Sequence, residues 1–486
     1  MFTQETPLTT DHDKPQLFPD IGEIVFTERG VRLLLEGLDP TKAAGPDQIL
    51  PRVLKELAET VAPLLTNIFN RSYRTGVVPS EWGHANVVPA YKKGKKFLAV
   101  NYRPISLTCV SCKLMEHIVA HQIMGHADEN GILYPLQHGF RSKLSCETQL
   151  TELAHDLVTN CQAGHQTDML VMDFSKAFDK VGHARLMLKL QSYGVTGRTY
   201  EWTKAFLSDR TQVVVVDGEQ SGRAPVTSGV PQGSVLGPCL FLFFINDLAE
   251  GLDSTVRLFA DDTIAYLTVE GDGDAQRLQQ DLDALARWED LWQMEFHPDK
   301  CYVLRVTKKH RSNIHEHAYV LHGHTLEVCD KVKYLGVTIS KDLSWGNHID
   351  AMCKKANSVQ AVLRRNIRVS DRGIKAAAYK SLVRPHVEYC STVWDPHAKN
   401  QIDKIEMVQR RAARWVFSKY RRGPNTTGPT HMIDTLGWPS LKLRRHVARL
   451  ALLHKMVNGL VLMTSRSLLI PYTHDTKAMP PHAITP

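Results

Sequence analysis

The chain has 486 residues, 43% of them hydrophobic, which is enough to bury more than one core. The longest uncharged apolar stretch, residues 240–245, is far too short to cross a bilayer, and the first residues carry no apolar signal region, so we expect neither a membrane protein nor a secreted one. Nine cysteines at irregular spacing indicate reduced thiols, as in a nuclear or cytoplasmic protein.

The charge is unevenly distributed along the chain. The whole sequence has 59 basic and 51 acidic residues, a net charge of +8, but residues 351–470 hold 23 Lys/Arg against 6 Asp/Glu, a net +17, which leaves the rest at −9. A solvated helical face usually carries both signs, so this asymmetry favours a nucleic-acid surface. The candidate phosphate contacts are Lys354, Lys355, Arg364, Arg365, Arg368, Arg410, Arg411, Arg414, Arg421, Arg422, Arg444 and Arg445.

In chain order, residues 1–38 are predicted to be a short lead-in. Residues 42–47 form a loop that opens a helical stretch over 51–75. Residues 84–108 are predicted as two short strands around the lysine-rich loop 92–96. That loop is either a solubilising turn or a cationic finger that holds a triphosphate, because cations stabilise phosphoryl charge.

Residues 107–123 are predicted as one helix with an apolar stripe. Cys109, Cys112, His117 and His121 in it have a spacing that superficially resembles a zinc site. Residues of a single helix do not readily surround a tetrahedral ion, so we expect helix packing here rather than zinc. A further helix is predicted over residues 146–160.

Three carboxylates are placed at the ends of predicted buried strands. Asp173 follows the apolar run that begins at residue 169, and Asp261 and Asp262 lie at the tip of an apolar hairpin over residues 256–266. An Asp pair at a turn is often ordinary solvated turn chemistry. Two like charges ~4 Å apart repel by about 1 kcal/mol in water and about 4 kcal/mol at an effective dielectric of 20. A divalent cation bound by both carboxylates turns this repulsion into a net attraction. Together the three acids predict a two-Mg²⁺ site for nucleotidyl transfer.

Between these acids lies a loop rich in glycine and proline, residues 228–238, followed by a predicted buried helix over residues 239–245. Glycine permits close approach of the backbone to a ligand, and proline stiffens the turn. Such a loop is suited to supporting a nascent base pair.

Beyond the hairpin the pattern becomes mostly helical. Residues 274–292 predict an amphipathic helix, residues 332–339 predict a hairpin, and residues 470–486 are expected to be disordered. Trp394 and Trp415 could stack on bases, although core packing is the more ordinary role of tryptophan in a helical region. Four more helices are predicted, over residues 347–369, 371–383, 400–416 and 438–458.

The motifs MDFSKAFDKV, SGVPQGSVLGP and FADDT begin at residues 172, 228 and 259. In this order they resemble the three central palm motifs of reverse transcriptases. The flanking segments NYRPISL, QHGFRS, KYLGV and SLVRPHVEYCSTVWDPH narrow the resemblance to the polymerase of a non-LTR, LINE-type retrotransposon of the jockey or chicken-repeat kind. The motif FADDT alone is a weak signal. The ordered set of palm motifs and flanking segments, over residues 20–465, is very specific for this family.

The resemblance implies roles for individual residues. Asp173, Asp261 and Asp262 would hold two Mg²⁺ ions, or Mn²⁺ as a substitute, with help from the Phe174 carbonyl. Phe178 would be a steric gate against a ribose 2′-OH, although it could be plain core. Lys300 would protonate the leaving pyrophosphate, with a plain surface lysine as the alternative. Family members commonly have asparagine at the position of His297, three residues before this lysine, so His297 is a mild departure from the family pattern. The residues expected to contact the dNTP are Lys92, Lys93, Arg103, Phe178, Gln232 and Gly233, and those expected to contact nucleic acid are foremost Arg364, Arg365, Arg410, Arg411 and Arg414.

The implied fold is α+β, a right-hand polymerase. We expect fingers over residues 39–166, a palm with an antiparallel sheet over 167–340, a thumb with a basic helical region over 341–470 and a disordered tail over 471–486. Related elements carry an endonuclease ahead of the polymerase, so we expect a truncated copy without one. The expected location is the nucleus or cytoplasm, in a ribonucleoprotein.

The functional hypothesis is RNA-directed DNA polymerase, with an RNA template, a DNA primer and dNTPs as partners and no membrane. One alternative is an RNA-dependent RNA polymerase, which Phe178 at the gate position and Ala260 before the Asp pair disfavour. The other is a catalytically silent, nucleic-acid-binding remnant of a retroelement, against which the intact acids argue.

Overall fold

A computed structural model describes residues 2–12, 14–308, 314–420 and 428–463. The helices in those ranges are α1 (Glu28–Glu36), α2 (Pro51–Glu56), α3 (Ala58–Thr75), α4 (Val110–Glu129), α5 (Cys146–Gln162), α6 (Ala177–Lys180), α7 (His183–Ser192), α8 (Gly197–Leu207), α9 (Leu236–Ile245), α10 (Asp272–Trp292), α11 (Gly346–Asn366), α12 (Arg372–Ala378), α13 (Lys399–Val416), α14 (Pro429–Thr435) and α15 (Leu441–Val457). The strands are β1 (His84–Tyr91), β2 (Tyr102–Leu107), β3 (Gln166–Asp173), β4 (Thr211–Val216), β5 (Glu219–Gln220), β6 (Ala224–Pro225), β7 (Thr255–Phe259), β8 (Asp262–Val269), β9 (Tyr302–Val306), β10 (Val320–Leu321), β11 (His324–Thr325), β12 (Glu327–Cys329), β13 (Lys331–Tyr334) and β14 (Val337–Ser340). The chain is therefore of the α+β class, and none of these helices is long and apolar enough to cross a bilayer.

The chain divides into two compact units, of which unit 1 comprises Met1–Phe140, Asp173–Leu252 and Asp281–His297. Its sheet has the order β2-β1-β4-β5, with β1 antiparallel to β2 and parallel to β4, and β6 pairs with β4. Helix α9 is the centre of the unit and packs against α4 and α7. Its sequence LGPCLFLFFI has no polar face, as is typical of a helix buried on all sides.

Unit 2 comprises Arg141–Met172, Asp253–Gln280 and Pro298–Pro486. Its main sheet has the order β12-β9-β3-β8-β7, with β3 antiparallel to β9 and β7 antiparallel to β8. The hairpin of β13 and β14 packs against α11, which in turn packs against α13. One hydrophobic cluster joins side chains of the sheet, this hairpin and the helices α11 to α15.

Most predicted elements are present within a few residues of their expected ends, including both hairpins and the buried helix α9. The predicted helical stretch over residues 51–75 is present as two consecutive helices, α2 and α3, because the backbone leaves the helical conformation at Leu57 (φ −100°, ψ 19°). The predicted helix over 371–383 ends as α12 at Ala378 and continues as the wider turn Tyr379–Val383, just ahead of Pro385, which has no N–H to donate. The predicted disordered tail lies outside the described residues.

The cysteine and histidine cluster lies in and beside α4 as a packing surface. Cys109 and Cys112 are buried, whereas His117 and His121 are exposed, so the four side chains do not face one point. No grouping of three or more metal-binding side chains occurs in the part of the chain that the structure describes. Trp394 and Trp415 are likewise buried in the core of unit 2, which confirms the packing interpretation over base stacking.

The first residues, 2–12, are bound along unit 1 and end in the 3-10 turn Thr10–His12. Thr3 donates its N–H to the Ser228 hydroxyl at 2.7 Å. The buried Arg185 donates to the Thr6 carbonyl oxygen at 3.1 Å and the Thr6 hydroxyl at 2.8 Å. His12 contacts the carbonyl oxygen of Leu291 at 3.0 Å. Isolated side-chain contacts, rather than a helix or sheet ladder, therefore hold this segment in place.

Candidate functional site

The acidic pair lies at a tight turn between β7 and β8. Phe259 and Asp262 are the last cross-strand pair, and Ala260 and Asp261 form the two-residue loop, with Ala260 in the left-handed region (φ 56°). Ala260 is buried, Asp261 is half-buried and Asp262 is exposed. The apolar strands thus anchor a turn that presents two carboxylates at one edge of the sheet.

Asp173 is the last residue of β3, and β3 is the neighbour of β8 in the sheet of unit 2. Its carbonyl oxygen accepts a hydrogen bond from the N–H of His297 at 2.9 Å. The side chain of Phe174, which follows, is buried and stacks on Phe296 with ring centroids 4.0 Å apart. The three acids offer only oxygen ligands, the type that Mg²⁺ prefers. No group of three such side chains placed to hold an ion occurs among the described residues, so the use of these acids as metal ligands stays a prediction.

Phe178 is held by other aromatic rings in unit 1. Its ring stacks on that of Phe241, with centroids 4.5 Å apart and planes 14° apart, and meets the edge of Phe140 at 6.1 Å. The side chain is half-buried. The contacts to Phe241 show that part of its role is core packing, and the partial exposure leaves the predicted gate role open to test.

The loop of residues 228–237 is joined to the turn around α6 by backbone hydrogen bonds. Gly229 donates to Val181 at 2.7 Å and Val230 donates to Phe178 at 2.8 Å. A Cβ on Gly229 (φ 87°) would lie 2.8 Å from backbone atoms of Phe178, and one on Gly233 (φ 115°) would lie 2.5 Å from the Ser106 carbonyl oxygen. Glycine is therefore required at both positions by conformation and by space.

The N-terminus of α9, which follows this loop, is capped from another helix. Glu116 of α4 is fully buried, and its Oε2 accepts from the N–H groups of Val235 at 2.7 Å and Leu236 at 3.0 Å. A carboxylate at this end also favours the helix dipole. This cap fixes where the loop gives way to the helix.

Gln232 contacts Asp179, an acid of the short helix α6. The side-chain Nε2 of Gln232 donates to Oδ1 of Asp179 at 3.1 Å. The backbone carbonyl oxygen of Gln232 accepts from the Ser106 N–H at 2.7 Å. Burial raises the pKa of the Asp179 carboxyl above its ordinary value, against the lowering effect of the hydrogen bond from Gln232. The two residues are 53 positions apart, and no local periodicity indicates that they meet.

The predicted triphosphate ligands are on the β1–β2 hairpin of unit 1. Lys92 and Lys93 follow β1, Arg103 is in β2 opposite Ala90, and all three cations are exposed. The N–H of Lys92 donates to the Asn101 carbonyl oxygen at 2.8 Å and closes the loop. The hairpin thus presents a cluster of cations to solvent. In unit 2, Lys300 is exposed and ends the 3-10 turn Pro298–Lys300.

The basic helices of unit 2 present cations to solvent. Arg364 and Arg365 are exposed at the end of α11, and the Arg364 guanidinium lies over the Tyr420 ring at 4.8 Å. In α13, Arg411 is exposed and donates to Asn357 at 3.1 Å. Arg410 and Arg414 of the same helix are half-buried.

The structure corrects one of the twelve candidate phosphate contacts, Arg445, and pairs another, Arg444, with an acid. Arg445 is fully buried and paired with Asp395 at 2.7 Å, and Arg444 is bound to Glu388 by two hydrogen bonds. Arg445 therefore serves packing and not phosphate binding, whereas the Arg444 side chain keeps 34% of its surface exposed beside Glu388. Arg421 and Arg422 lie outside the described residues.

Lys189 is a buried lysine with a lowered pKa, a property that catalytic general bases share. Its Nζ lies 2.5 Å from Asp247 Oδ1 and 3.7 Å from the centroid of the Trp292 ring. Burial lowers the pKa of its ammonium to about 8 despite the opposing effect of Asp247. The side chain has no exposed surface, so this pair is a structural element of the core of unit 1.

The sequence is similar to a known protein family and to several known proteins. The family described as reverse transcriptase (RNA-dependent DNA polymerase) matches residues 91–339. The chain is 29% identical, over 404 residues, to the RNA-directed DNA polymerase from mobile element jockey of Drosophila melanogaster, a match that covers 79% of this chain and 43% of that protein. It is also 29% identical over 398 residues to the probable RNA-directed DNA polymerase from transposon BS of the same species, covering 78% and 43%. The chain thus spans less than half the length of these curated relatives.

Proposed function

The chain belongs to the reverse transcriptase (RNA-dependent DNA polymerase) family, and from that premise we propose that it is an RNA-directed DNA polymerase of a non-LTR retrotransposon. Its substrates are a DNA primer annealed to an RNA template, and dNTPs. The observation that carries the proposal is the turn of Asp261 and Asp262, anchored by buried strands at the edge of a sheet in which β3, ending at Asp173, is the neighbour of β8. Relatives named as polymerases of mobile elements support it.

Asp173, Asp261 and Asp262, with the carbonyl oxygen of Phe174, would hold two Mg²⁺ ions. The chemistry that ions held there would supply is activation of the primer 3′-hydroxyl and neutralisation of charge on the phosphate and pyrophosphate. The protein's own part is mostly positioning, because little covalent chemistry in phosphoryl transfer falls to side chains. Burial of the strands on both sides of the turn supplies the rigidity that such positioning requires.

The remaining predicted residues bind and select the nucleotide. Lys92, Lys93 and Arg103 hold the triphosphate, Phe178 excludes a 2′-hydroxyl, and Gln232 with Gly233 supports the base pair. The aromatic stack behind Phe178 supports a gate role, because a ring fixed from one side cannot move away from a clash. Lys300 donates a proton to the departing pyrophosphate.

The finer architecture is part of the same proposal. The chain adopts a right-hand arrangement with fingers over residues 39–166, a palm over 167–340 and a thumb with basic helices over 341–470. Arg364, Arg365, Arg410, Arg411 and Arg414 bind the nucleic-acid backbone, and the protein acts in the nucleus or the cytoplasm.

The first test is Asp261→Asn. The variant should lose primer extension on an RNA template to background, because it removes one negative charge from the metal-binding set, while RNA affinity stays within about twofold, since backbone contacts elsewhere supply it. Extension by the purified parent chain with dNTPs and with NTPs, in Mg²⁺ or Mn²⁺, is measured beside it.

The matched control is Asp217→Asn, an exposed aspartate in the turn after β4. It should extend like the parent. Extension by Asp261→Asn at the parental rate would refute the acid site, and extension with NTPs would indicate an RNA polymerase. A folded parent that binds RNA without extending a primer would favour the alternative, a silent binding remnant.

A further inference from the structure

We propose that Asp179 is a positioning residue that fixes the orientation of the Gln232 side-chain amide, and so determines which hydrogen-bonding group Gln232 offers to the incoming nucleotide. The inference rests on the proposed function and deepens it by assigning a second residue to nucleotide selection. It starts from the 3.1 Å hydrogen bond between Gln232 Nε2 and Asp179 Oδ1.

The chemistry of the two groups sets the direction of this contact. An ionised carboxylate only accepts hydrogen bonds, whereas an amide can donate from nitrogen or accept at oxygen. The NH₂ group of Gln232 must therefore face Asp179. Its Oε1 and its second N–H remain available for a ligand, and the amide has one orientation rather than a mixture of two.

The backbones of both residues are fixed independently of this contact. The Ser228 hydroxyl donates to the Asp179 carbonyl oxygen at 2.8 Å and accepts from the Thr3 N–H at 2.7 Å. At the other end, the Gln232 carbonyl oxygen accepts from the Ser106 N–H at 2.7 Å. With both main chains held, the remaining freedom lies in the side-chain torsions of Gln232, and the bond to Asp179 removes it.

The close approach of Gly229 keeps the two residues within reach. A Cβ there would lie 2.8 Å from the Cα and carbonyl oxygen of Asp179, so any other residue would push the loop away from α6. Burial raises the pKa of Asp179, and the hydrogen bond from Gln232 opposes that rise, as expected when the amide N–H stabilises the ionised carboxylate. Asp179 acts through Gln232 and is not itself assigned any contact with substrate.

The test is a double-mutant cycle of Asp179→Leu and Gln232→Met, read as kcat and KM for single dNTP incorporation. Each single variant should raise KM for the dNTP by roughly tenfold with kcat within about threefold, because a ground-state contact is loosened. The double variant should resemble Gln232→Met alone within about twofold, since residues that act through one contact are not additive. Asp217→Asn is the control for loss of one aspartate charge.

Asp179→Asn is the milder variant for use if Asp179→Leu does not fold. Asparagine can accept from the Gln232 nitrogen or donate to its oxygen, so both amide orientations become populated, and KM should rise by about two- to threefold, again only while Gln232 is present. Effects that multiply in the double variant, or an unchanged KM in both Asp179 variants, would overturn the inference while the polymerase assignment stands. A parent chain that does not extend a primer would overturn both.

Discussion

At the scale of single residues, His348 at the start of α11 shows how a buried ring makes unit 2 sensitive to acid. Its Nδ1 accepts a hydrogen bond from the Thr338 N–H at 3.2 Å, and its ring lies 5.2 Å from that of Trp394. Burial, with a smaller contribution from Lys333, lowers the pKa of the imidazole to about 4. The folded state therefore favours the neutral ring.

The expected consequence is a loss of stability on acidification. Between an unfolded pKa of 6.5 and a folded pKa of about 4, the unfolded chain binds a proton that the folded chain does not, so stability falls as pH falls through this window. From pH 7 to pH 5 the loss is about 2 kcal/mol from this residue. Urea unfolding of the parent and of His348→Asn, which keeps an acceptor but does not titrate, measures it. Equal losses in the two proteins would contradict the assignment.

The residue scale is also where prediction from sequence was weakest. The strand end at Asp173 and the turn at Asp261 and Asp262 were predictable because apolar runs that stop at acids are a local pattern, whereas the metal-binding role of these acids stays a prediction. The bond between Asp179 and Gln232 was missed because it joins distant positions and depends on a close approach at Gly229. Burial of Arg445 beside Asp395 was missed for the same reason, since composition alone does not show which arginines turn inward.

At the scale of elements, the carboxylate of Glu116 determines where α9 begins. Glu116→Ala should lower the free energy of unfolding by about 2–4 kcal/mol, because it leaves two buried N–H groups without an acceptor. Glu116→Gln should lose about 1 kcal/mol, since an amide oxygen still caps the helix but without the charge that favours its dipole. Urea titration of both variants provides the measurement, and a Glu116→Ala variant as stable as the parent would show that the cap contributes nothing.

Elements were largely predictable because their signals are local. Apolar, β-branched runs on both sides of the Asp pair predicted the hairpin of β7 and β8. The apolar stripe of Leu278, Leu282 and Leu285 predicted α10, and all three leucines are buried. The segment of residues 2–12 gave no such signal, since it has no periodicity and is held by long-range contacts. Its hydrogen bonds to Arg185 and Ser228 join residues far apart in the sequence, so local patterns do not predict them.

At the scale of the whole molecule, the excess positive charge of residues 351–470 predicts salt-dependent affinity for RNA. Replacing Arg364 and Arg365 with glutamine should weaken binding about tenfold at 0.1 M salt and reduce the slope of log affinity against log salt by about 1–2, if both contact phosphates. Fluorescence anisotropy with a single-stranded RNA across a salt series is the measurement.

The control for that experiment is Arg32→Gln, an exposed arginine of α1 that is paired with Glu36. It should leave both the affinity and the slope unchanged. An unchanged slope in the double variant would place the phosphate contacts elsewhere on the chain.

The segment of residues 2–12 also has a consequence for the order of synthesis. His12 and its partner Leu291 are 279 residues apart. At translation rates of roughly 5–20 residues per second, the segment emerges about 15–60 s before Leu291. Unit 1 therefore cannot complete its surface around His12 until that residue has been made, although Ser228 and Arg185, the partners of Thr3 and Thr6, are made earlier.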